Sequence, residues 1–317
     1  MSARLVDRIA VLIHAALALG LIGVGATALA GAGAPPVLDP TGAWLDDGWS
    51  RVARGALCTI TGISALGLVR VRGRRRLAAG VLLALAAFGL SFAAGAQDVR
   101  ALWAGPALAA VCAPLAIVLG DERRRAARHA FAAFLLGALA CGLLGAALVT
   151  LSALAGSTHL VEIGFLVARF ADAGPLALMA VRVAVVAAAI LAAWAPFHLA
   201  TPELWGEGSA PVGGWLAIAW PWAGWSLVVR LATGLAPALE AWSFDAAAAV
   251  GLFLVLGAIV PALAALAEVR VGRLLALLAV GTSSELLLAV HAGGADAGAV
   301  AAAPPAVSYT HLTLPTN

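Results

Sequence analysis

Apolar residues run along this chain in stretches of about twenty, parted by short polar clusters, and nothing inside them alternates as a strand does. Nine stretches stand out, at 9–31, 55–70, 77–97, 101–120, 129–155, 175–197, 211–234, 246–268 and 273–292. Each approaches the roughly 20 helical residues needed to cross a hydrocarbon core of roughly 30 Å. The 55–70 stretch is short and is expected to extend N-terminally past Arg54. A transmembrane β-barrel would show alternating segments of roughly 10 residues. The pattern therefore predicts an all-α protein, a polytopic transmembrane helical bundle of about nine spans, in which each helix satisfies its own backbone within lipid. Between the spans, 32–54 reads as a loop on one side. Leu160–Ala171 reads as a short amphipathic helix at the interface, and 198–210 as a loop on the other side, rich in Pro, Gly, Glu and Trp.

Composition sharpens this. The 317 residues are 63% hydrophobic and 11% charged, against roughly 45–50% and 25% for a soluble domain. That excludes a soluble enzyme, a disordered chain and a nucleic-acid-binding module, and leaves the lipid bilayer as the surrounding medium. All 19 basic residues are arginine. With the N-terminus in the cytoplasm, 13 of them fall inside: Arg4, Arg8, Arg70, Arg72, Arg74, Arg75, Arg76, Arg123, Arg124, Arg125, Arg128, Arg270 and Arg273. Only Arg51, Arg54, Arg100, Arg169 and Arg230 fall outside, a positive-inside pattern that supports a multi-pass protein with its N-terminus in the cytoplasm and supports the span count. The first span has a rival reading as a signal peptide cleaved at Ala28-Leu29-Ala30, although its apolar run exceeds the usual core of about 7–15 residues.

Few polar side chains interrupt the spans. Arg182 lies about two turns into the sixth; it either snorkels to the interface, pairs with an acid or a partner subunit, or serves transport. Glu285 lies mid-span beside Thr282, Ser283 and Ser284, as a protonatable site or as a neutral group bonded to those hydroxyls. His198 follows Pro196, which removes a helix donor and is expected to break the helix. The imidazole either lines a half-channel entrance or satisfies the freed carbonyls. Glu203 and Glu207 sit in the following loop, solvated or docked to a neighbour. Trp205 and Trp215 suit an interfacial belt, while Trp220, Trp222 and Trp225 face lipid or another helix, a quinone site being the lesser alternative. Cys58, Cys112 and Cys141 lie far apart in apolar runs and suggest no metal or disulfide framework. The sequence contains no redox-cofactor motif, nucleotide loop or nucleophile constellation, so no catalytic or metal residue is expected in it.

The segment Ala195–Leu231, APFHLATPELWGEGSAPVGGWLAIAWPWAGWSLVVRL, resembles the PFH-x-W-x-P-D-x-Y-x-x-AP-x-PV signature of the antiporter-like membrane subunits of respiratory complex I. Pro196, Phe197, His198, Thr201, Pro202, Pro211 and Val212 match, with Glu203 for Asp and Trp205 for Tyr. The PFH-x-x-TP form is most similar to subunit N of bacterial NADH-quinone oxidoreductase. Asp98, Trp103 and Gly105 in Ala94–Leu119, the stretch Asp46–Arg54, and Arg273, Leu274, Leu275 and Ala276 in Val269–Leu288 resemble further family segments in order and spacing. The resemblance runs over about residues 45–290. It implies two inverted five-helix repeats, a broken helix near Pro196, and a chain covering the first repeat and the start of the second.

The resemblance also implies proton movement through buried ionisable groups. The family's glutamate falls at Ala107. Its lysines fall at Leu191, Pro221 and Gly272, and a histidine falls at Thr282. None of these residues titrates, and arginine does not release its proton in proteins. The resemblance thus implies a membrane-arm subunit of a proton-translocating NADH:quinone oxidoreductase, subunit N-like, divergent and C-terminally truncated, whose first repeat has lost its proton path. It would be a non-redox translocase subunit. NADH and quinone would be used by the assembly as a whole, with other membrane subunits as partners. The alternatives are a subunit of a hydrogenase-linked or multi-subunit cation/proton antiporter complex, or a stand-alone permease. Residues 1–306 are expected to form a single membrane domain. Residues 307–317 hold the chain's only tyrosine, Tyr309, and resemble an adapter-derived tail.

Overall fold

The computed structural model describes residues 3–68, 71, 74–120, 124–169, 174–194, 196–200, 202–203, 210–241 and 246–292. The expected tail at 307–317 lies outside the described residues. The long helices are α1 (Ala3–Ala30), α2 (Gly48–Gly67), α3 (Arg74–Ala94), α4 (Val99–Gly120), α5 (Arg124–Ala155), α7 (Gly174–Leu191), α8 (Ala210–Gly234), α10 (Ala246–Leu266) and α11 (Val271–Ala292). Two shorter helices, α6 (Leu160–Arg169) and α9 (Ala236–Ala241), lie between them. A hairpin of β1 (Val37–Leu38) and β2 (Leu45–Asp46) pairs Val37 with Asp46 and Leu38 with Leu45.

The protein is a multi-pass helical membrane protein. Among the described residues, α1, α3, α4, α5, α7 and α8 contain the six stretches long and apolar enough to cross a membrane. Helix α2 starts at Gly48, two turns before the apolar run, because Asp47 caps it. Its carboxylate accepts from the Ser50 N–H while the Ser50 hydroxyl accepts from the Asp47 N–H. Prolines stand inside α4 (Pro106, Pro114), α8 (Pro221) and α10 (Pro261), as packed membrane helices tolerate.

Helix α8 is the hub. It packs against α2, α3, α4, α7 and α11, and α1 lies against α2 and α3. Small residues permit these approaches. Where α3 crosses α4, a Cβ on Gly105 would run into the Gly89 carbonyl oxygen, so the backbones touch. Phe88, Phe131, Leu139 and Val149 point outward, where a bilayer would receive them.

The turns divide into two ends. At one, the hairpin, the α3–α4 turn, α6 and α9 assemble, together with Arg51, Arg54, Arg100 and Arg230. At the other, Gly67 of α2 meets Pro211 of α8, and Arg76 and Arg273 stand at the starts of α3 and α11.

Helix α7 stops at Leu191, short of the bound at 197 expected of the sixth stretch. The Ala193 N–H donates to the Ile190 carbonyl (3.1 Å) and the Trp194 N–H to the Ala189 carbonyl (3.0 Å), with Ala193 at φ 54°. That is a Schellman closure, with alanine where glycine is usual. A short 3₁₀ helix, Phe197–Ala200, follows Pro196.

Candidate functional site

The polar residues gather at the hairpin end. Arg230, near the C-terminus of α8 and 1% exposed, donates from Nη1 and Nη2 to the two Asp47 oxygens (2.8 and 2.7 Å) and from Nε to the Ala94 carbonyl (2.5 Å). One guanidinium thus ties the start of α2 and the end of α3 to α8. Beside it, Arg51 donates to the Asp46 carboxylate and to the carbonyls of Gly31, Ala34, Pro35 and Asp46. Arg54 also pairs with Asp46 and lies 5.0 Å over the Trp44 ring. Asp98 receives Arg100 (2.9 Å) and the Thr158 hydroxyl (2.8 Å).

These pairings set the charge states. Burial pushes Asp47 up, but the Arg230 guanidinium and the Ser50 N–H more than reverse it, leaving the carboxyl below the usual range. Asp46 is lowered likewise, burial being overcome by Arg51 and Arg54. At Asp98 the Arg100 hydrogen bond outweighs burial and holds the carboxyl at about 2. These fixed, satisfied charges suit holding helices together more than passing protons.

The residues singled out from the sequence lie elsewhere and apart. His198 is buried in the 3₁₀ helix, and its Nδ1 has no partner among the described residues. Pro196 is exposed, Phe197 is half-buried, Pro202 is half-buried and Val212 is buried. Thr201, Trp205 and Glu207 lie outside the described residues. Exposed Glu203 accepts from Arg273 (3.1 Å), which links the loop before α8 to the start of α11. Arg182 is on the exposed face of α7. Ala107 is half-buried in α4, Leu191 ends α7, Pro221 is buried in α8, and Gly272 is half-buried at the start of α11.

Two expectations are corrected. Glu285 is exposed on α11, and its neighbours do not hold it. Ser283 and Ser284 donate to the Val280 carbonyl and Thr282 donates to that of Leu278, each hydroxyl bonding to the backbone about one turn back. Trp215 is not in an interfacial belt. It is fully buried and donates to the Thr61 hydroxyl (2.8 Å), a buried acceptor that α2 offers it.

Sequence reasoning missed three residues. Arg230 enters the sequence pattern only as a charge on one side, although an arginine within SLVVRLATG signals a buried partner. His14, buried in α1 with Nε2 2.6 Å from the Ala65 carbonyl, and Trp49 at the start of α2 gave no comparable signal.

Residues 96–306 match the family described as NADH:quinone oxidoreductase/Mrp antiporter, TM. The chain belongs to that family. Among curated relatives, NADH-quinone oxidoreductase subunit N of Gemmatimonas aurantiaca is 32% identical over 237 residues, 74% of this chain and 44% of the relative. NADH-quinone oxidoreductase subunit 14 of Thermus thermophilus is 31% identical over 258 residues, 81% and 54% respectively. The chain spans about half the length of the curated relatives it matches. Among solved structures, respiratory complex I from Thermus thermophilus with bound aureothin superposes with a TM-score of 0.71 at 24% identity, over 93% of this chain and 63% of that one. The archaeal membrane-bound sulfane sulfur reductase superposes with a TM-score of 0.72 at 15% identity, over 90% and 59%. This antiporter-family fold leaves no place for a permease of unrelated architecture.

Proposed function

We propose that the protein is a subunit N-like membrane-arm subunit of a complex I-type NADH:quinone oxidoreductase, and that its first repeat does not move protons through the family's exchangeable groups. The observation that carries the first half is the run of curated relatives named subunit N, matched over about three quarters of this chain. The second half rests on the side chains in register with those groups, Ala107, Leu191, Pro221 and Gly272, none of which binds a proton.

In this reading all nine apolar stretches span the bilayer, α2, α10 and α11 included. The N-terminus faces the cytoplasm of a bacterial inner membrane. Helix α7 and the 3₁₀ turn after it form one discontinuous membrane helix, interrupted by the Schellman closure at Ala193 and by Pro196. NADH and quinone are handled by partner subunits, and this chain does no redox chemistry. A second reading, membership of a hydrogenase-linked or Mrp-type antiporter complex, is favoured by the fold shared with the sulfane sulfur reductase and with the Mrp complex from Dietzia, at a TM-score of 0.71.

Solubilisation in a mild detergent, with identification of the co-purifying chains by mass spectrometry, separates the readings. Subunits of an NADH:quinone oxidoreductase membrane arm are expected. Hydrogenase-like or Mrp-type partners establish the second reading, and a chain that elutes alone defeats both.

A further inference from the structure

Four tryptophans meet inside the bundle. Trp49, at the start of α2, stacks on Trp222 of α8 at 5.4 Å between ring centroids and meets Trp225 edge-on at 6.3 Å. Trp225 in turn meets Trp194, in the turn after α7, edge-on at 6.4 Å. Trp194 is fully buried and Trp225 is 4% exposed. The indole N–H groups of Trp49, Trp194 and Trp225 are all buried, with no hydrogen-bond partner among the described residues. Trp215, earlier on α8, gives the contrast, because its N–H is bonded to Thr61.

A buried donor left without an acceptor bears its full desolvation penalty, and three together weigh heavily against a marginally stable fold. The edge-on ring contacts offer at most a weak N–H to π interaction. An indole nitrogen only donates, so what it lacks is an acceptor. That acceptor is neutral. On α8, Arg230 spends Nε, Nη1 and Nη2 on Ala94 and Asp47, and on α2 Arg51 and Arg54 are held by Asp46, so the described cations on the two helices are already engaged. A neutral oxygen comes from water or from the carbonyl of a lipid-soluble molecule. Water fits better, because its own hydrogens can use the second lone pair of the Ala189 and Ile190 carbonyls, each of which accepts one backbone N–H in the closure of α7 beside Trp194.

We propose that Trp49, Trp194 and Trp225 form a binding site for neutral oxygen acceptors, occupied by buried water, where the start of α2, the end of α7 and the middle of α8 converge. The site stands on these contacts alone and holds whichever complex the chain joins.

Difference ultraviolet resonance Raman spectra of the full chain in its native membranes, wild type against W49F, W194F and W225F, test it. Each variant is expected to remove a hydrogen-bonded indole N–H band like the one W215F removes, and that band is expected to shift promptly in heavy water. A band of free N–H, or of N–H facing a ring, overturns the site. Should a variant fail to accumulate, isotopic labelling of the indole nitrogens in the wild type reads the same N–H groups by solid-state NMR, with the same two outcomes. Repeating the spectra after organic extraction of lipids and quinones separates the sources. Bands that persist assign the sites to water, and bands that are lost assign them to an extracted carbonyl compound and overturn the water occupancy.

Discussion

The Arg230 guanidinium grips both carboxylate oxygens of Asp47, the residue that caps α2, across 183 positions of sequence. The two ends of the pair are unequal, since the Arg230 side chain is 1% exposed and that of Asp47 24%. Removing one partner leaves the other unpaired, and the cost follows how deeply that survivor is buried. Asp47→Asn keeps the helix cap but strands a fully buried cation, and is expected to cost about 3–5 kcal/mol. Arg230→Met leaves a carboxylate that still reaches solvent and Ser50, at about 1–3 kcal/mol. The double variant is expected to recover most of the loss of Asp47→Asn. Thermal unfolding of the detergent-solubilised protein ranks the three, and equal single losses with no recovery would contradict the pairing.

Acid sensitivity follows from the carboxyl at the start of α4. Asp98 is lowered from 3.8 to about 2, chiefly by Arg100. A folded-state value below the unfolded one stabilises fully above the unfolded value, and the contribution fades as pH falls through the folded one. The melting difference between wild type and Asp98→Asn is therefore expected to hold steady down to about pH 4 and to shrink towards about pH 2. The effect is modest because Arg100 is largely exposed and screened. A difference that grows on acidification would show the opposite sign of linkage.

The membrane helices and the ties between them were unequally legible in the sequence. Apolar runs announce membrane helices because every turn must face lipid or protein, so α1, α3, α4, α5 and α8 fall close to their expected places. The amphipathic stretch from Leu160 likewise appears as α6. Runs of apolarity say nothing about partners far along the chain, so the Asp47–Arg230 pair and the Trp49–Trp222 stack were invisible. The extension of α2 past Arg54 was legible in the shortness of its apolar run, but its start at Gly48 depended on a cap that hydropathy does not register. The early end of α7 depended on an alanine at positive φ, which no residue preference suggests. The hairpin at 37–46 was hidden within a proline-rich loop, its strands being two residues each.

That alanine makes a prediction of its own. Ala193 sits at φ 54° in the Schellman closure, a conformation in which a Cβ costs about 1–2 kcal/mol. Glycine relieves the strain but loosens the unfolded chain by about 0.4–1 kcal/mol. Ala193→Gly is expected to raise stability by a few tenths to about 1 kcal/mol, and Ala193→Val to lower it by about 1–2 kcal/mol. Melting temperatures of the two variants, read against wild type, check the order. A destabilising glycine would mean that the buried methyl outweighs the backbone term.

Glu285 is the acid in α11. It is exposed, and Thr282, Ser283 and Ser284 each bond to the backbone instead of to it. A group relaying protons through this half of the bundle would need neighbours to hand the proton on, within hydrogen-bond reach or through water. The positions in register with the family's exchangeable groups are Ala107, Leu191, Pro221 and Gly272, which offer none. If the subunit N-like reading holds, Glu285→Gln is therefore expected to leave NADH-driven proton uptake into inverted membrane vesicles unchanged, at an equal rate of electron transfer. Parallel assays of NADH oxidation and of a vesicle pH dye check both quantities. Lost uptake with electron transfer intact would make Glu285 a relocated proton carrier and would overturn the proposal that this chain has no exchangeable group in place of those lost.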